Sequence, residues 1–184
     1  MKLNWKTNST RYIIKDKWIS LRADSCILPD GKIIEPFYVL EYPDWVNIVA
    51  ITPDNEVIFV KQYRHGIKQT ILEIPCGTIE PSDRSPADAA KRELLEETGY
   101  SSDDLIELCR LSPNPANHSN TTHCFLAQNA VKISEQSLDI NEQIEIQKIP
   151  LSEVVSMLKR NQIIQTLHVS ALFYALEHLK ETAG

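Results

Sequence analysis

The chain has 184 residues, a formal net charge of −6 and a 42% hydrophobic fraction. That length supports one sizeable core with a small appendage, and the acidic balance excludes a broad basic surface for nucleic acid. No stretch approaches the roughly eighteen apolar residues of a membrane span.

The start, Met1-Lys2-Leu3-Asn4-Trp5-Lys6, lacks the apolar run of a secretion signal. Residues 10–42 read as strands and turns. Arg11–Lys15 and Trp18–Leu28 are rich in β-formers, Pro29-Asp30-Gly31 is a turn signal, and Ile33–Leu40 is the returning strand. A sheet this small needs something to pack on, such as a second subunit. Pro43-Asp44 marks a boundary between residues 1–43 and 44–184. Trp45–Ile51 and Val57–Tyr63 then form a hairpin through Pro53-Asp54-Asn55, and a short apolar run, Ile71–Ile74, ends at Pro75-Cys76-Gly77.

The best-signalled element is a helix. Ser85 supplies an N-cap, Pro86 the first helical position, Asp88 a carboxylate three residues after the cap, and Gly99 a stop after Thr98. Strands follow at Leu105–Leu111, Thr122–Ala127 and Gln143–Ile149. Ser152 is expected to cap a helix through Lys159, and an amphipathic helix covers Thr166–Lys180, with Leu167, Ala171, Tyr174 or Ala175, and Leu179 at helical spacing. The order predicts an α/β or α+β sandwich. The four cysteines, at 26, 76, 109 and 124, have no zinc or C-x-x-C spacing. They read as reduced thiols, which points to the cytoplasm.

Chemistry concentrates in Arg92-Glu93-Leu94-Leu95-Glu96-Glu97-Thr98-Gly99. Glu93, Glu96 and Glu97 stand at i, i+3 and i+4, so a helix puts them on one face, while Ala87, Ala90 and Leu94 face the core. Three such carboxylates repel one another unless a hard cation, Mg²⁺ or Mn²⁺, lies among them. A solvated acidic face balanced by Lys91 and Arg92 is the alternative.

The run from Gly77 through Arg92-Glu93-Leu94-Leu95-Glu96-Glu97-Thr98-Gly99-Tyr100 resembles the Nudix box, G-x5-E-x7-R-E-U-x-E-E-x-G-U, where U is a bulky aliphatic. Tyr100 replaces the final aliphatic. Asp83 falls where the first glutamate belongs, and Arg92 comes one residue late, so an insertion lies near Asp83-Arg84 and Asp83 is not counted as a ligand. The resemblance implies a Nudix α/β/α sandwich with a small N-terminal antiparallel sheet. It also implies a metal-dependent pyrophosphohydrolase. Glu93, Glu96 and Glu97 would hold the metal, with Glu96 and Glu97 counted among the catalytic groups, and Arg92 would orient a glutamate of the box.

The likeness extends further. Lys61-Gln62-Tyr63-Arg64 and Leu72-Glu73-Ile74-Pro75-Cys76-Gly77 are similar to the V-x-Q-Y-R … L-E-L-P-A-G pattern of ADP-ribose and other nucleoside-diphosphate-sugar hydrolases. By that likeness Arg64 contacts diphosphate or ribose, or else makes a surface salt bridge. Glu73 lies close to substrate and metal, and Cys76 offers a backbone carbonyl to metal. Asp16-Lys17-Trp18-Ile19-Ser20-Leu21 is similar to the N-terminal strands of these dimers. Trp18 is then a nucleobase platform, or a core or dimer-interface residue. Glu142 is the candidate base, with Asp139 as a second choice on the same acidic stretch, or the stretch is an ordinary exposed loop. Asn117, His118 and Asn120 depart from the group's S-P-G-x-S-x-E pattern. They form either a changed pocket or a plain polar loop.

The expected substrate is a small-molecule nucleotide sugar, ADP-ribose first, split to a nucleoside monophosphate and a sugar phosphate. Another nucleoside diphosphate derivative (GDP-mannose, a dinucleotide, a nucleoside triphosphate) or a non-catalytic ligand sensor is the alternative. A homodimer is expected, with no nucleic-acid or membrane partner.

Overall fold

A computed structural model describes residues 3–182. The chain divides into two compact units. One runs through Pro43 and takes in residues 112–121; the other comprises Asp44–Leu111 and the chain from Thr122 onward.

The first unit is a three-stranded antiparallel sheet of β1 (Lys6–Lys15), β2 (Ser20–Ile27) and β3 (Ile33–Glu41). Its central strand buries Ala23, Asp24, Ser25 and Cys26, whereas β1 is exposed along its whole length. Arg22 joins the strands by pairing with both Asp24 and Glu41. Residues 112–121 dock on β3: the Leu40 amide donates to the Asn117 carbonyl at 2.8 Å, and the Ser119 amide donates to Leu40 at 3.2 Å.

The second unit is built on a mixed sheet. Its strands are β4 (Trp45–Ile51), β5 (Glu56–Arg64), β9 (Asp104–Leu111), β10 (Thr122–Gln128) and β12 (Ile144–Pro150), in the order β12-β5-β4-β10-β9, with β10 parallel to β4. Short strands β6 (Gln69–Glu73) and β7 (Cys76–Thr78) pair with β5 and β4, and β8 (Tyr100–Ser101) pairs with β11 (Val131–Lys132). Side chains alternate along the strands, so the sheet has two apolar faces. Val46, Ile48, Ala50, Phe125 and Ala127 meet Ala89, Ala90 and Leu94 of α1 (Pro86–Thr98). Val49, Ile51, Phe59 and Leu126 meet Val154 and Met157 of α2 (Leu151–Lys159) and Ala171, Leu172 and Ala175 of α3 (Thr166–Thr182). The result is the α/β/α sandwich expected from the sequence.

Local signals set α1. The Ser85 hydroxyl accepts from the Asp88 amide at 3.1 Å, and Gly99 takes φ of 74° and donates its amide to Leu95. A residue with a Cβ at position 99 would also run into the Ser134 carbonyl.

Several boundaries differ from the sequence reading. β1 begins at Lys6 rather than Arg11, because pairing with β2 extends it. β2 begins at Ser20, and Trp18 lies in the preceding turn, where the Asp16 carboxylate accepts from the Trp18 and Ile19 amides. Ser152 is no cap: α2 starts at Leu151 straight from β12, and the Leu151 amide donates instead to Asn55. On α3 it is Ala175 that enters the core, while Tyr174 is exposed.

Candidate active site on the carboxylate helix

Pairing of Asn47 with Cys76 and Val46 with Gly77 lays the β7 backbone beside α1. Glu93 presses its carboxyl against Gly77, and any Cβ there would overlap it. Gly77 is thus fixed by close approach rather than by a turn.

Arg92 is the hub. Its Nε and Nη2 form a fork on Asp83 at 3.0 and 2.8 Å, Nη1 donates to Glu93 Oε1 at 2.8 Å and to Glu96 Oε2 at 3.0 Å, and Nη2 also donates to the Thr78 carbonyl at 2.9 Å. The Arg92 bond holds the Asp83 carboxyl below its ordinary range. Asp83 therefore does take the place of the first acidic residue of the box, as an ion-pair partner. The extra residue between it and Arg92 is absorbed in the loop before Ser85, where no helical face is rotated.

Glu97 is buried, and its Oε2 accepts from the Cys76 amide at 3.0 Å. Burial pushes its carboxyl well above the ordinary range, against the pull of the Cys76 amide bond and with the Glu93 and Glu142 charges adding to the rise. Burial likewise raises Glu93 to about 7, against the opposing pull of Arg92. Desolvation by burial pushes the Cys76 thiol well above its ordinary range.

Arg64, at the end of β5, donates to Glu73 Oε2 at 2.8 Å and points another nitrogen at Cys76 Sγ, 3.8 Å away. Glu73 is almost wholly buried, while Arg64 keeps 40% of its side chain exposed. Arg64 therefore does make a salt bridge, as one of the two sequence readings had it, but to a carboxylate that is buried rather than on the surface. Behind it, the buried His168 has Nδ1 3.9 Å from Glu73 Oε1, and burial with the Arg64 charge lowers His168 to about 3, so it is neutral.

Residues 41–168 match the family described as the NUDIX domain. The chain belongs to the Nudix family. Residues 5–40 of this Nudix protein match the nucleoside diphosphate sugar hydrolase N-terminal domain. It is 30% identical over 173 residues to the ADP-ribose pyrophosphatase of Bacillus subtilis (strain 168), covering 94% of this chain and 92% of that one. It is also 30% identical over 179 residues to the methanol dehydrogenase activator of Bacillus methanolicus, covering 94% and 96%. A solved structure titled as an ADP compounds hydrolase superposes with a TM-score of 0.87 at 25% identity, covering 99% of this chain and 98% of that one. The chain is thus a hydrolase acting on phosphoric anhydrides.

Nudix hydrolases generally work with divalent metal. Among the described residues no three His, Cys, Asp or Glu groups stand ready to hold an ion as they are. The donor chemistry nevertheless fits one. Arg92 fixes one oxygen each of Glu93 and Glu96, and the Cys76 amide fixes one of Glu97, leaving Glu93 Oε2, Glu96 Oε1 and Glu97 Oε1 outside those bonds. These are hard oxygens on carboxyls whose raised proton affinity a cation would relieve.

The remaining sequence candidates lie as follows. Glu142 accepts from the Asp139 amide at 3.1 Å, and its charge raises both Glu93 and Glu97. Trp18 is 70% exposed, which removes the core reading, and Lys17 sits 4.7 Å over its ring. Asn114 bonds Asn117, His118 stacks near Tyr42, and Asn120 donates to the Pro43 carbonyl, so this loop holds itself within the first unit. Counting put Asp83 at the first acidic position of the box, and its ion pair with Arg92 is what the sequence reading missed, although a carboxylate within reach of a fork-forming arginine was a readable signal. His168 carried none, being one histidine on an apolar helix face.

Proposed function

We propose that the protein is a Mg²⁺- or Mn²⁺-dependent pyrophosphohydrolase of nucleoside diphosphate sugars, with ADP-ribose as its leading substrate and a nucleoside monophosphate and a sugar phosphate as products. The observation that carries this reading is the pairing of two arginine centres in one unit: Arg92 arranging Glu93 and Glu96, and Arg64 braced by buried Glu73. The first arranges carboxylates for a cation, and the second offers a fork to a diphosphate oxygen or ribose. Glu93, Glu96, Glu97 and the Cys76 backbone carbonyl would hold the metal, which would neutralise the diphosphate and acidify a water. Glu142 takes the proton from the attacking water, and Arg64 orients the diphosphate so that attack is in line. The names of two relatives favour ADP-ribose.

Residues 1–43, the N-terminal part of the first unit, serve as the homodimer contact, and Trp18 as a nucleobase platform. An exposed β1 with Tyr12, Ile13 and Ile14 all more than 40% exposed supports the first role, and the open Trp18 ring supports the second. Four free thiols fit a reducing cytoplasm, and no helix among the described residues is long and apolar enough to cross a membrane.

The test is incubation with Mg²⁺ and, separately, ADP-ribose, GDP-mannose, NADH, diadenosine polyphosphates and nucleoside triphosphates, reading nucleoside monophosphate or pyrophosphate release. AMP from ADP-ribose at the highest kcat/KM is expected. A clear preference for triphosphates overturns the substrate, and no turnover of any compound overturns the enzyme reading.

A further inference from the structure

An α-helix leaves its last four carbonyls without intrahelical partners. In α1 the segment after β11 satisfies two of them, those of Glu96 and Glu97, and also bonds the Gly99 carbonyl just past the helix. The Ile133 and Ser134 amides donate to the Gly99 carbonyl at 2.9 and 3.2 Å, and the Ser137 amide donates to Glu96 at 2.9 Å. Between them, Gln136 Nε2 donates to the Glu97 carbonyl at 2.6 Å and to the Ile144 carbonyl at 3.3 Å. Two carbonyl acceptors leave no choice in the amide's orientation, since only the NH₂ end can face both.

The two backbones bridged this way carry the two halves of the chemistry. Glu97 is a carboxylate of the metal face. Ile144 opens β12, two residues after Glu142. Residues 137–143 are thus a loop tied at one end by Ser137 on Glu96 and at the other by Gln136 on Ile144. Within it the Glu142 amide donates to the Asp139 carbonyl at 2.9 Å, and the Glu142 carboxylate accepts from the Asp139 amide. Ile140 is 99% exposed, so packing of that side chain does not hold the loop.

We infer that Gln136 is a positioning residue for catalysis: its amide clamps the backbone of Glu97 to that of Ile144 and so sets where the Glu142 loop stands over the carboxylate helix. This deepens the proposed function and rests on it for the role of Glu142. Small misplacements matter at such sites, because an error of about 1 Å in a reacting group can cost about a hundredfold in rate.

Two measurements test the inference. In the first, kcat and KM are measured for wild type, Gln136→Ala, Glu142→Gln and the double variant. Gln136→Ala is expected to lower kcat roughly tenfold with KM little changed, and to have little further effect once Glu142 is already Gln. Equal losses in both backgrounds, or no loss, overturn the inference. Gln136→Glu keeps the shape but turns oxygens toward two carbonyls, so it should do no better than Ala; full activity in Gln136→Glu also overturns it. The second is amide exchange on the metal-free full chain. In Gln136→Ala the Ser137 amide should exchange faster while the middle of α1 keeps its protection; unchanged exchange at Ser137 removes the clamp. An inactive wild type would sink the proposed function, and the exchange result would still decide whether the clamp exists.

Discussion

The carboxylate end of the second unit and the β1 face of the first unit are opposites. At the carboxylate end the chain supplies its own partners: one arginine holds three acidic side chains and a carbonyl, and a backbone amide holds a fourth carboxylate. On β1 a ten-residue strand turns Tyr12, Ile13 and Ile14 to solvent. The contrast teaches that the carboxylate cluster is organised by groups of its own unit, whereas the exposed β1 face is where the proposed homodimer contact would be made.

The comparison breaks first at Glu97. Glu97→Gln should reduce kcat by roughly a hundredfold or more, as loss of a group that stabilises transition-state charge does, with the melting temperature of the metal-free protein held, because burial already disfavours the charged carboxylate there. A matching fall in melting temperature would mean that the site is not separable from the fold. Gly77→Ala comes next. The new Cβ displaces the Glu93 carboxyl, and divalent-metal affinity should drop roughly tenfold to a hundredfold, read by titration of the metal.

A smaller effect follows from Glu93. Its folded pKa of about 7 lies above its value in the unfolded chain, so the folded state binds the extra proton between about pH 4.5 and 7. Metal-free protein should therefore lose stability as pH rises through that window, by about 2 kcal/mol between pH 5 and 8, and Mg²⁺ should flatten the curve. Thermal melts across pH with and without Mg²⁺ would show it, and a metal-free curve that rises over this range would contradict it. The smallest effect on stability is at Trp18. Trp18→Ala should leave the melting temperature within about 0.5 kcal/mol equivalent of wild type, since the ring is exposed, yet raise KM if the ring stacks on the base. An unchanged KM would remove the platform.

Local chemistry was legible in the sequence. Ser85, Pro86 and Gly99 act within a few residues of where they stand, so α1 could be bounded without its surroundings. The three glutamates follow from helical periodicity alone. At Asp83 counting found the position but not the partner, because Arg92 reaches it through space and a loop absorbs the extra residue. Gln136 was invisible, since its partner Glu97 lies 39 residues away and no motif links them. Ser152 misled because a capping residue loses its role when a strand runs directly into a helix.

The placement of residues 112–121 bears on how the protein can be dissected. They leave the second unit after Leu111, bridge to β3 at Leu40, and return at Thr122. A truncation after Pro43 would not free the second unit cleanly; it would strand an interior segment whose hydrogen bonds to Leu40 and Pro43 had been deleted with the rest. Genetic shuffling of the N-terminal module must therefore exchange two separate stretches of coding sequence together, the second of them buried in the middle of its neighbour.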